Sequence, residues 1–113
     1  MFKNLFFRSA AQDANTIEFE DFAQAADLGE VTVVDVREPQ EFAAGRVPKA
    51  VNMPMSRFDA RQLPSGKPVI LICQAGGRSR NALNHARAAG RDDVRHYAGG
   101  MNGWRSRGGD VEM

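Results

Sequence analysis

The sequence predicts an α/β domain with a central, mostly parallel β-sheet flanked by helices on both faces. Short runs of β-branched residues alternate with helical segments, which is typical of parallel strands joined by crossover helices. The run at residues 69–72 is uninterruptedly apolar, as expected for a strand covered on both faces. The 113 residues suffice for one core and are too few for two domains of ordinary size.

The predicted elements of the first half begin at residue 15. Alternating apolar residues indicate a short strand over 15–19, and the spacing of Phe22, Ala25 and Ala26 indicates a helix over 20–28. The pattern then predicts a strand over 31–36, a short helix over 39–44, an extended stretch over 51–53, helical turns over 56–62, a loop over 64–68 and the strand 69–72.

The second half continues the alternation. A helix is predicted over 79–89, ended by Gly90, and a strand over 94–97 precedes a closing helix that contains Met101 and Trp104. Residues 15–113 are expected to form the domain, with residues 1–14 as an N-terminal extension. The apolar side chains of that extension either pack back on the domain or contact a partner or membrane surface, and they are Phe2, Leu5, Phe6 and Phe7.

Composition excludes several classes of protein. The chain is 42% hydrophobic and 26% charged, which is ordinary for a soluble domain, and no stretch approaches the roughly 20 apolar residues of a membrane span. Membrane contact is therefore not expected. The apolar run at the N-terminus is shorter than the roughly 7 to 15 residues of a secretory leader. The single cysteine cannot form an internal disulfide and stays nucleophilic only where thiols are reduced, which predicts a cytoplasmic location.

Charge is unevenly distributed, although the formal net charge is only +1. Acidic residues dominate 9–45, whereas Lys and Arg dominate 46–107. The basic half either focuses a positive field that attracts small anions or pairs with the acidic half in the fold. Nucleic-acid binding is not expected, because the cations are scattered and Tyr97 and Trp104 form no stacking series.

The sole cysteine, Cys73, directly follows the buried strand and opens a glycine-containing loop. Strand carboxyl ends are where open α/β sheets bind ligands. Gly76 and Gly77 let the backbone curl so that successive N–H groups form an anion-binding nest, to which the following helix start adds partial positive charge. Arg78 adds a full positive charge, so the loop favours a thiolate.

A simpler alternative is that Cys73 only fills the core, since free cysteine is among the most buried residue types. Two glycines and an arginine are unusual neighbours for a purely apolar site. Reactive cysteines lie in electropositive, partly open surroundings, so the loop favours a nucleophilic Cys73.

Four motifs in order resemble the rhodanese-like sulfurtransferases, specifically their small single-domain members. The matching stretches are residues 33–38, 41–54, the loop 73–79 and 97–104. The resemblance implies a single rhodanese-like domain with Cys73 as the catalytic residue. It also implies that the loop binds the substrate, through Gln74, Ala75, Gly76, Gly77, Arg78 and Ser79.

The implied reaction is sulfur transfer without a cofactor, through a persulfide on Cys73. The donor is thiosulfate or a similar small anion, and the acceptor is cyanide, a thiol or a protein. Three positions depart from the family pattern: Arg46 stands where histidine is usual, Lys49 where glycine is usual, and Ala75 where serine is common. These departures bear on substrate preference more than on fold.

Two other functions remain open. A cysteine phosphatase or an arsenate reductase also places a cysteine, a glycine-containing loop and an arginine around an oxyanion. Phosphatases of related architecture have five residues between the cysteine and the arginine, whereas Cys73 and Arg78 are separated by four. A carrier that passes persulfide sulfur to one protein partner would have the same loop, and it would turn over slowly with cyanide.

The remaining candidates are supporting residues. Asp35 and Arg37, at the end of an earlier strand, either line the pocket or form a structural ion pair, and Arg46 is a further candidate for the pocket rim. No metal site is expected, because His85 and His96 lack carboxylate or cysteine partners at ligand spacing. His85 is expected on the surface or in helix packing.

Overall fold

The computed structural model describes residues 13–113, so the apolar side chains of the predicted extension at Phe2, Leu5, Phe6 and Phe7 lie outside the described residues. The described elements are α1 (Phe19–Asp27), β1 (Thr32–Asp35), α2 (Pro39–Ala43), β2 (Val51–Asn52), β3 (Val69–Ile72), α3 (Gly77–Ala88), β4 (Val94–His96) and α4 (Gly100–Ser106). Two 3-10 turns, Met55–Arg57 and Ala60–Gln62, join β2 to β3.

The four strands form one sheet in the order β2-β1-β3-β4, and every pair is parallel. All four residues of the central strand β3 are fully buried. Leu71 of β3 aligns with Val34 of β1 on one side and with His96 of β4 on the other. The carboxyl ends of the strands therefore meet at one edge, and the predicted α/β class is confirmed.

Helices cover both faces of the sheet, as predicted. Side chains alternate between the faces along each strand, so Ile70 and Ile72 pack with α1 and α4, whereas Val69 and Leu71 pack with α3. The first cluster contains Phe22, Tyr97, Met101 and Trp104, and the second is mainly aliphatic and includes Cys73. The cysteine thus lies on the α3 side of the sheet.

The strand predicted over 15–19 shrinks to a single bridge, between Thr16 and His96. Helix α1 begins at Phe19, after Glu18 in an extended conformation, and has Glu20 and Asp21 in its first turn. Carboxylates there interact favourably with the helix dipole, and Phe22 enters the core from the helix. The apolar residue at 17 follows the bridge residue Thr16, and the apolar residue at 19 is the first residue of α1, so their alternation does not mark a strand.

Arg46 and Lys49, which depart from the family pattern, both form hydrogen bonds with the C-terminal segment. Lys49 has φ 68°, the left-handed conformation in which glycine is favoured. Its amide donates to Glu112 Oε1 at 2.9 Å. Arg46 and Glu112 also exchange two backbone hydrogen bonds, of 2.9 and 2.8 Å. Lysine is therefore accommodated by contacts that fix its backbone.

Candidate active site

Cys73 follows β3 directly and has only 1% of its surface exposed. Continuing the alternation of β3, its side chain joins Leu71 in the cluster beneath α3. Burial in that cluster is what a purely structural cysteine would show. The polar groups around its sulfur decide between the two interpretations.

Backbone N–H groups of the loop donate to Cys73 Sγ. The amide of Gly76 lies 3.1 Å from the sulfur, and the amide of Ser79, in the first turn of α3, lies 3.2 Å from it. The hydroxyl Oγ of Ser79 is also 3.5 Å from Sγ. A sulfur that accepts several hydrogen bonds is favoured as the anion, because an anion gains more from each donor than a neutral thiol does.

Gly76 makes this convergence possible. Its φ of 105° lies in the left-handed region, and a Cβ at this position would collide with the carbonyl oxygen of Ala98. The residue is thus required to be glycine for two independent reasons. The turn at Gly76 directs its own amide back toward the sulfur just before α3 begins.

Helix α4 holds the outer side of the loop. The amides of Met101 and Asn102 donate to the carbonyls of Cys73 and Gln74, at 2.8 and 3.1 Å. These amides belong to the first turn of α4, where N–H groups have no partner within the helix. Gly100, with φ 63°, permits the close approach, since a Cβ there would collide with Gln74 O. The first two loop carbonyls therefore point at α4.

The pKa of the Cys73 thiol lies below its ordinary value of 9.0. Burial acts in the opposite direction and is the largest single influence, raising the pKa. The Ser79 hydroxyl and the backbone amides of Ser79, Gly76 and Ala75 together outweigh it. Hydrogen bonds from neutral groups thus produce the net shift toward thiolate.

The guanidinium of Arg78 forms an ion pair with the carboxylate of Glu41. Its Nη1 and Nη2 donate to Glu41 Oε1 and Oε2 at 2.7 and 3.0 Å, a bidentate pair between α3 and α2. The bond from Arg78 is the largest influence on Glu41 and lowers its pKa from 4.5 to about 2. Much of the positive charge expected to act on Cys73 is therefore neutralised.

Asp35 and Arg37 form a buried ion pair at the end of β1, with Arg37 Nη2 2.8 Å from Asp35 Oδ2. The same guanidinium donates to Gly45 O at 2.7 Å and, through Nη1, to Gln74 Oε1 at 3.1 Å. Gln74 Nε2 in turn donates to Asn102 Oδ1 at 2.7 Å. Arg37 thus supports the loop from below through the Gln74 side chain.

The other predicted site residues have different positions. Ala75 and Gly77 are exposed. Arg46 lies over the ring of Phe42, 4.8 Å from its centroid, and pairs with Glu112 at 3.6 Å. Its contacts connect α2 to the C-terminal segment rather than to Cys73. His85 is exposed, and its ring lies 6.3 Å from that of Phe58.

Three residues whose polar side chains contact the loop were not predicted as site residues, namely Glu41, His96 and Asn102. His96 is 2% exposed, and its Nδ1 lies 2.8 Å from Ser79 Oγ. Alternation along β4 places His96 on the same face as Val94, which packs beneath α3. That alternation is a sequence signal that could have identified it. Glu41 and Asn102 depend on contacts between distant helices and leave no such signal.

A concavity of about 460 Å³ lies elsewhere on the described part of the chain. It is lined by α1, the turn over 47–49, Trp104 and the segment that follows α4. None of the residues 73–79 contributes to it. Within residues 13–113, no cluster of three or more His, Cys, Asp or Glu is arranged to hold a metal ion. None of the helices described is long and apolar enough to cross a bilayer.

Comparison with known proteins identifies proteins that are similar to this chain in sequence or in fold. A Synechocystis protein named uncharacterized is 38% identical over 88% of this chain, which spans 57% of that protein's length. A yeast thiosulfate:glutathione sulfurtransferase is 35% identical, with 71% of this chain and 68% of the yeast protein covered. The crystal structure of a rhodanese-related protein from Thermoplasma volcanium superposes with a TM-score of 0.78 at 29% identity, covering 87% of this chain and 97% of that one.

Residues 18–107 match the family described as the Rhodanese-like domain, which is most of the chain. The match includes all four strands, α3 and the loop from Cys73 to Ser79. The protein belongs to the rhodanese-like domain family, and some of the relatives that it is similar to are named sulfurtransferases.

Proposed function

We propose that this protein transfers a sulfane sulfur from thiosulfate, or a similar small anionic donor, to cyanide or a thiol through a persulfide on Cys73. The observation that carries the proposal is the convergence of the Gly76 and Ser79 amides on Cys73 Sγ, at 3.1 and 3.2 Å. Two fixed donors favour the thiolate needed for attack and leave no requirement for a separate general base.

In the first step, the Cys73 thiolate attacks the outer sulfur of the donor. A bond forms between Sγ and that sulfur, while the sulfur–sulfur bond of thiosulfate breaks and its electron pair leaves with sulfite. In the second step, cyanide or a thiolate attacks the outer sulfur of the persulfide. The bond to Sγ then breaks, and its electron pair restores the Cys73 thiolate.

The loop also suits the persulfide intermediate. Its outer sulfur is anionic and extends from a sulfur that is itself almost fully buried. The amides of the loop and the start of α3 supply partial positive charge around it without a counter-ion. The name of the yeast relative, which specifies thiosulfate and glutathione, agrees with a small anionic donor and a thiol acceptor.

Phosphate or arsenate chemistry is less well supported. An enzyme acting on such oxyanions uses its loop arginine to bind the substrate, whereas Arg78 is bound bidentately by Glu41. In phosphoryl transfer the arginine must stabilise the oxygens of the reacting group itself, whereas sulfur transfer takes place at the outer sulfur of the donor and needs the thiolate. A persulfide carrier for one protein partner shares the first step with our proposal and differs only in the acceptor.

Intact mass measurement tests the proposal directly. The purified protein is incubated with thiosulfate, and we expect a gain of one sulfur atom that is absent in Cys73→Ser. Cyanide should then remove the sulfur as thiocyanate. The absence of any gain with sulfane donors, together with hydrolysis of an aryl phosphate, would refute the assignment. Rapid loading with slow discharge to cyanide and fast discharge to one protein would indicate a carrier.

A further inference from the structure

We propose that His96 is a positioning residue for Cys73: its Nδ1–H donates to Ser79 Oγ and thereby directs the single hydroxyl proton of Ser79 onto Cys73 Sγ. The role that we assign to this arrangement rests on the proposed function, because sulfur transfer requires a Cys73 thiolate. The arrangement itself concerns the free protein, before any sulfur donor binds.

The three side chains form a continuous buried row. Ser79 Oγ lies 2.8 Å from His96 Nδ1 and 3.5 Å from Cys73 Sγ. The exposed fractions of Cys73, Ser79 and His96 are 1%, 0% and 2%. Hydrogen bonds inside such a row are strengthened by the low local dielectric, and each polar group requires a partner.

The number of available protons determines which group donates in each of the two contacts of Ser79 Oγ. A serine hydroxyl has one proton and donates once. A thiolate has no proton, so its contact with Ser79 Oγ is favourable only when that hydroxyl proton points at the sulfur. The short contact between Ser79 Oγ and His96 Nδ1 is then a hydrogen bond only if Nδ1 carries the proton.

The carbonyl of Gly76 is also close to the Ser79 hydroxyl, but it does not require the hydroxyl proton. Gly76 O lies 3.2 Å from Ser79 Oγ, but this carbonyl already accepts from the Arg80 amide at 3.1 Å. When Cys73 is a neutral thiol, the row reverses: the S–H donates to Ser79 Oγ, and the hydroxyl donates to His96 Nδ1. The tautomer of His96 and the ionisation of Cys73 are thus coupled through Ser79.

The surroundings keep the imidazole neutral. Burial is the main influence that lowers the pKa of His96, and Arg80 of α3 acts in the same direction. Asp13, ahead of the Thr16 bridge, opposes them. A neutral ring has a single N–H, so its placement on Nδ1 excludes a proton on Nε2. This leaves a state that nitrogen NMR can recognise.

The test measures how the rate of Cys73 alkylation by iodoacetamide depends on pH, without any sulfur donor. Below the thiolate midpoint, Ser79→Ala and His96→Leu should each slow alkylation by about tenfold, as expected for a lost hydrogen bond to a charged group. His96→Asn keeps a side-chain N–H near the position of Nδ1 and should recover most of the rate. His85→Asn, which alters the exposed histidine of α3, serves as the matched control.

A double variant separates positioning from general loss of packing. If His96 acts through Ser79, then Ser79→Ala combined with His96→Leu should alkylate no more slowly than Ser79→Ala alone. Rate losses that multiply in the double variant would overturn the inference, as would an unchanged rate in His96→Leu. Should His96→Leu fail to fold, Ser79→Ala and nitrogen NMR of the natural protein still decide, since a deprotonated Nδ1 beside a thiolate contradicts the proposal.

The two proposals fail in different ways. If alkylation responds as expected but thiosulfate adds no sulfur to Cys73, the sulfur-transfer proposal is wrong and the positioning role stands. If sulfur is added but alkylation is indifferent to Ser79 and His96, the positioning role is wrong and sulfur transfer stands.

Discussion

Two neighbouring regions at the carboxyl edge of the sheet stabilise negative charge by different means. Around Cys73, the donors to the sulfur are neutral groups, among them the amides of Gly76 and Ser79. Beside the loop, the arginines are matched with carboxylates, in the buried pair Asp35–Arg37 and the half-buried pair Glu41–Arg78. The Cys73 thiolate is thus stabilised without a counter-ion, whereas the charges of the two arginines are largely balanced by carboxylates.

The difference shows how a fold can favour a thiolate without offering a strong cationic site. Backbone dipoles act at short range, so they stabilise the one sulfur atom without adding a net charge to the site. The paired arginines instead connect elements: Arg37 joins β1 to Gln74, and Arg78 joins α3 to α2. They act mainly as supports of the loop.

The largest expected effect comes from breaking the buried pair. Asp35→Ala leaves the Arg37 guanidinium without its carboxylate in a site where both side chains are almost fully buried. Such uncompensated burial costs about 3 to 5 kcal/mol of unfolding free energy, measurable by urea denaturation. Glu20→Gln, which breaks an exposed pair with Arg107, is the control and should cost less than about 1 kcal/mol. Equal losses in the two variants would contradict the supporting role of Arg37.

Glycine substitutions in the loop should have the next largest effect. Gly76→Ala combines a left-handed φ with a collision against Ala98 O, so we expect a loss of about 1 to 3 kcal/mol and a higher pKa of Cys73. Gly77→Ala, one residue later, introduces a Cβ with no neighbour within 4 Å. Its unfolding free energy should stay unchanged or rise by up to about 1 kcal/mol in urea denaturation. A loss as large as that of Gly76→Ala would show that the strain is not local to residue 76.

Variants of the Glu41–Arg78 pair should shift the thiolate midpoint of Cys73 in opposite directions, and only slightly. Arg78→Ala removes a nearby cation and should raise the thiolate midpoint, whereas Glu41→Gln frees the Arg78 charge and should lower it. We expect shifts of about half a pH unit, because a partly exposed pair is screened by solvent and salt. Alkylation as a function of pH measures both, and a shift of several units in Arg78→Ala would make the arginine the main determinant.

The smallest effect concerns acid stability. The pKa of Glu41 is about 2 in the folded protein and 4.5 ordinarily, so its contribution to stability is present above about pH 4.5 and is lost as the pH falls toward about 2. The difference in unfolding midpoint between the natural protein and Glu41→Gln should therefore be small at neutral pH and vanish in acid. A difference that grows on acidification would contradict the lowered pKa.

Local pattern was sufficient to predict much of the fold. The run Val69–Ile72 has the predicted bounds because four consecutive apolar residues fit a strand covered on both faces. The loop amides were expected near Cys73 because a strand, two glycines and a helix leave few other routes for the chain. In contrast, the bridge at Thr16 resembles a strand in sequence, since Ile17 and Phe19 alternate although α1 begins at Phe19.

The remaining features depend on contacts across the fold. The sequence offers no basis for matching Arg78 with Glu41, 37 positions earlier, rather than with the Cys73 sulfur. Nor does it show that the first turn of α4 binds the carbonyls of Cys73 and Gln74. Both contacts arise because parallel strands bring their carboxyl ends, and the helices that follow them, to one edge.

The most direct test is the thiolate midpoint of Cys73, measured by alkylation against pH at low and at high ionic strength. Since Cys73 is the single cysteine, the modified mass reports on this residue alone. If neutral amides hold the thiolate, the midpoint should lie below the ordinary thiol value of 9.0 and stay nearly constant as salt is added. A midpoint at or above 9.0, or one that rises steeply with salt, would contradict the account.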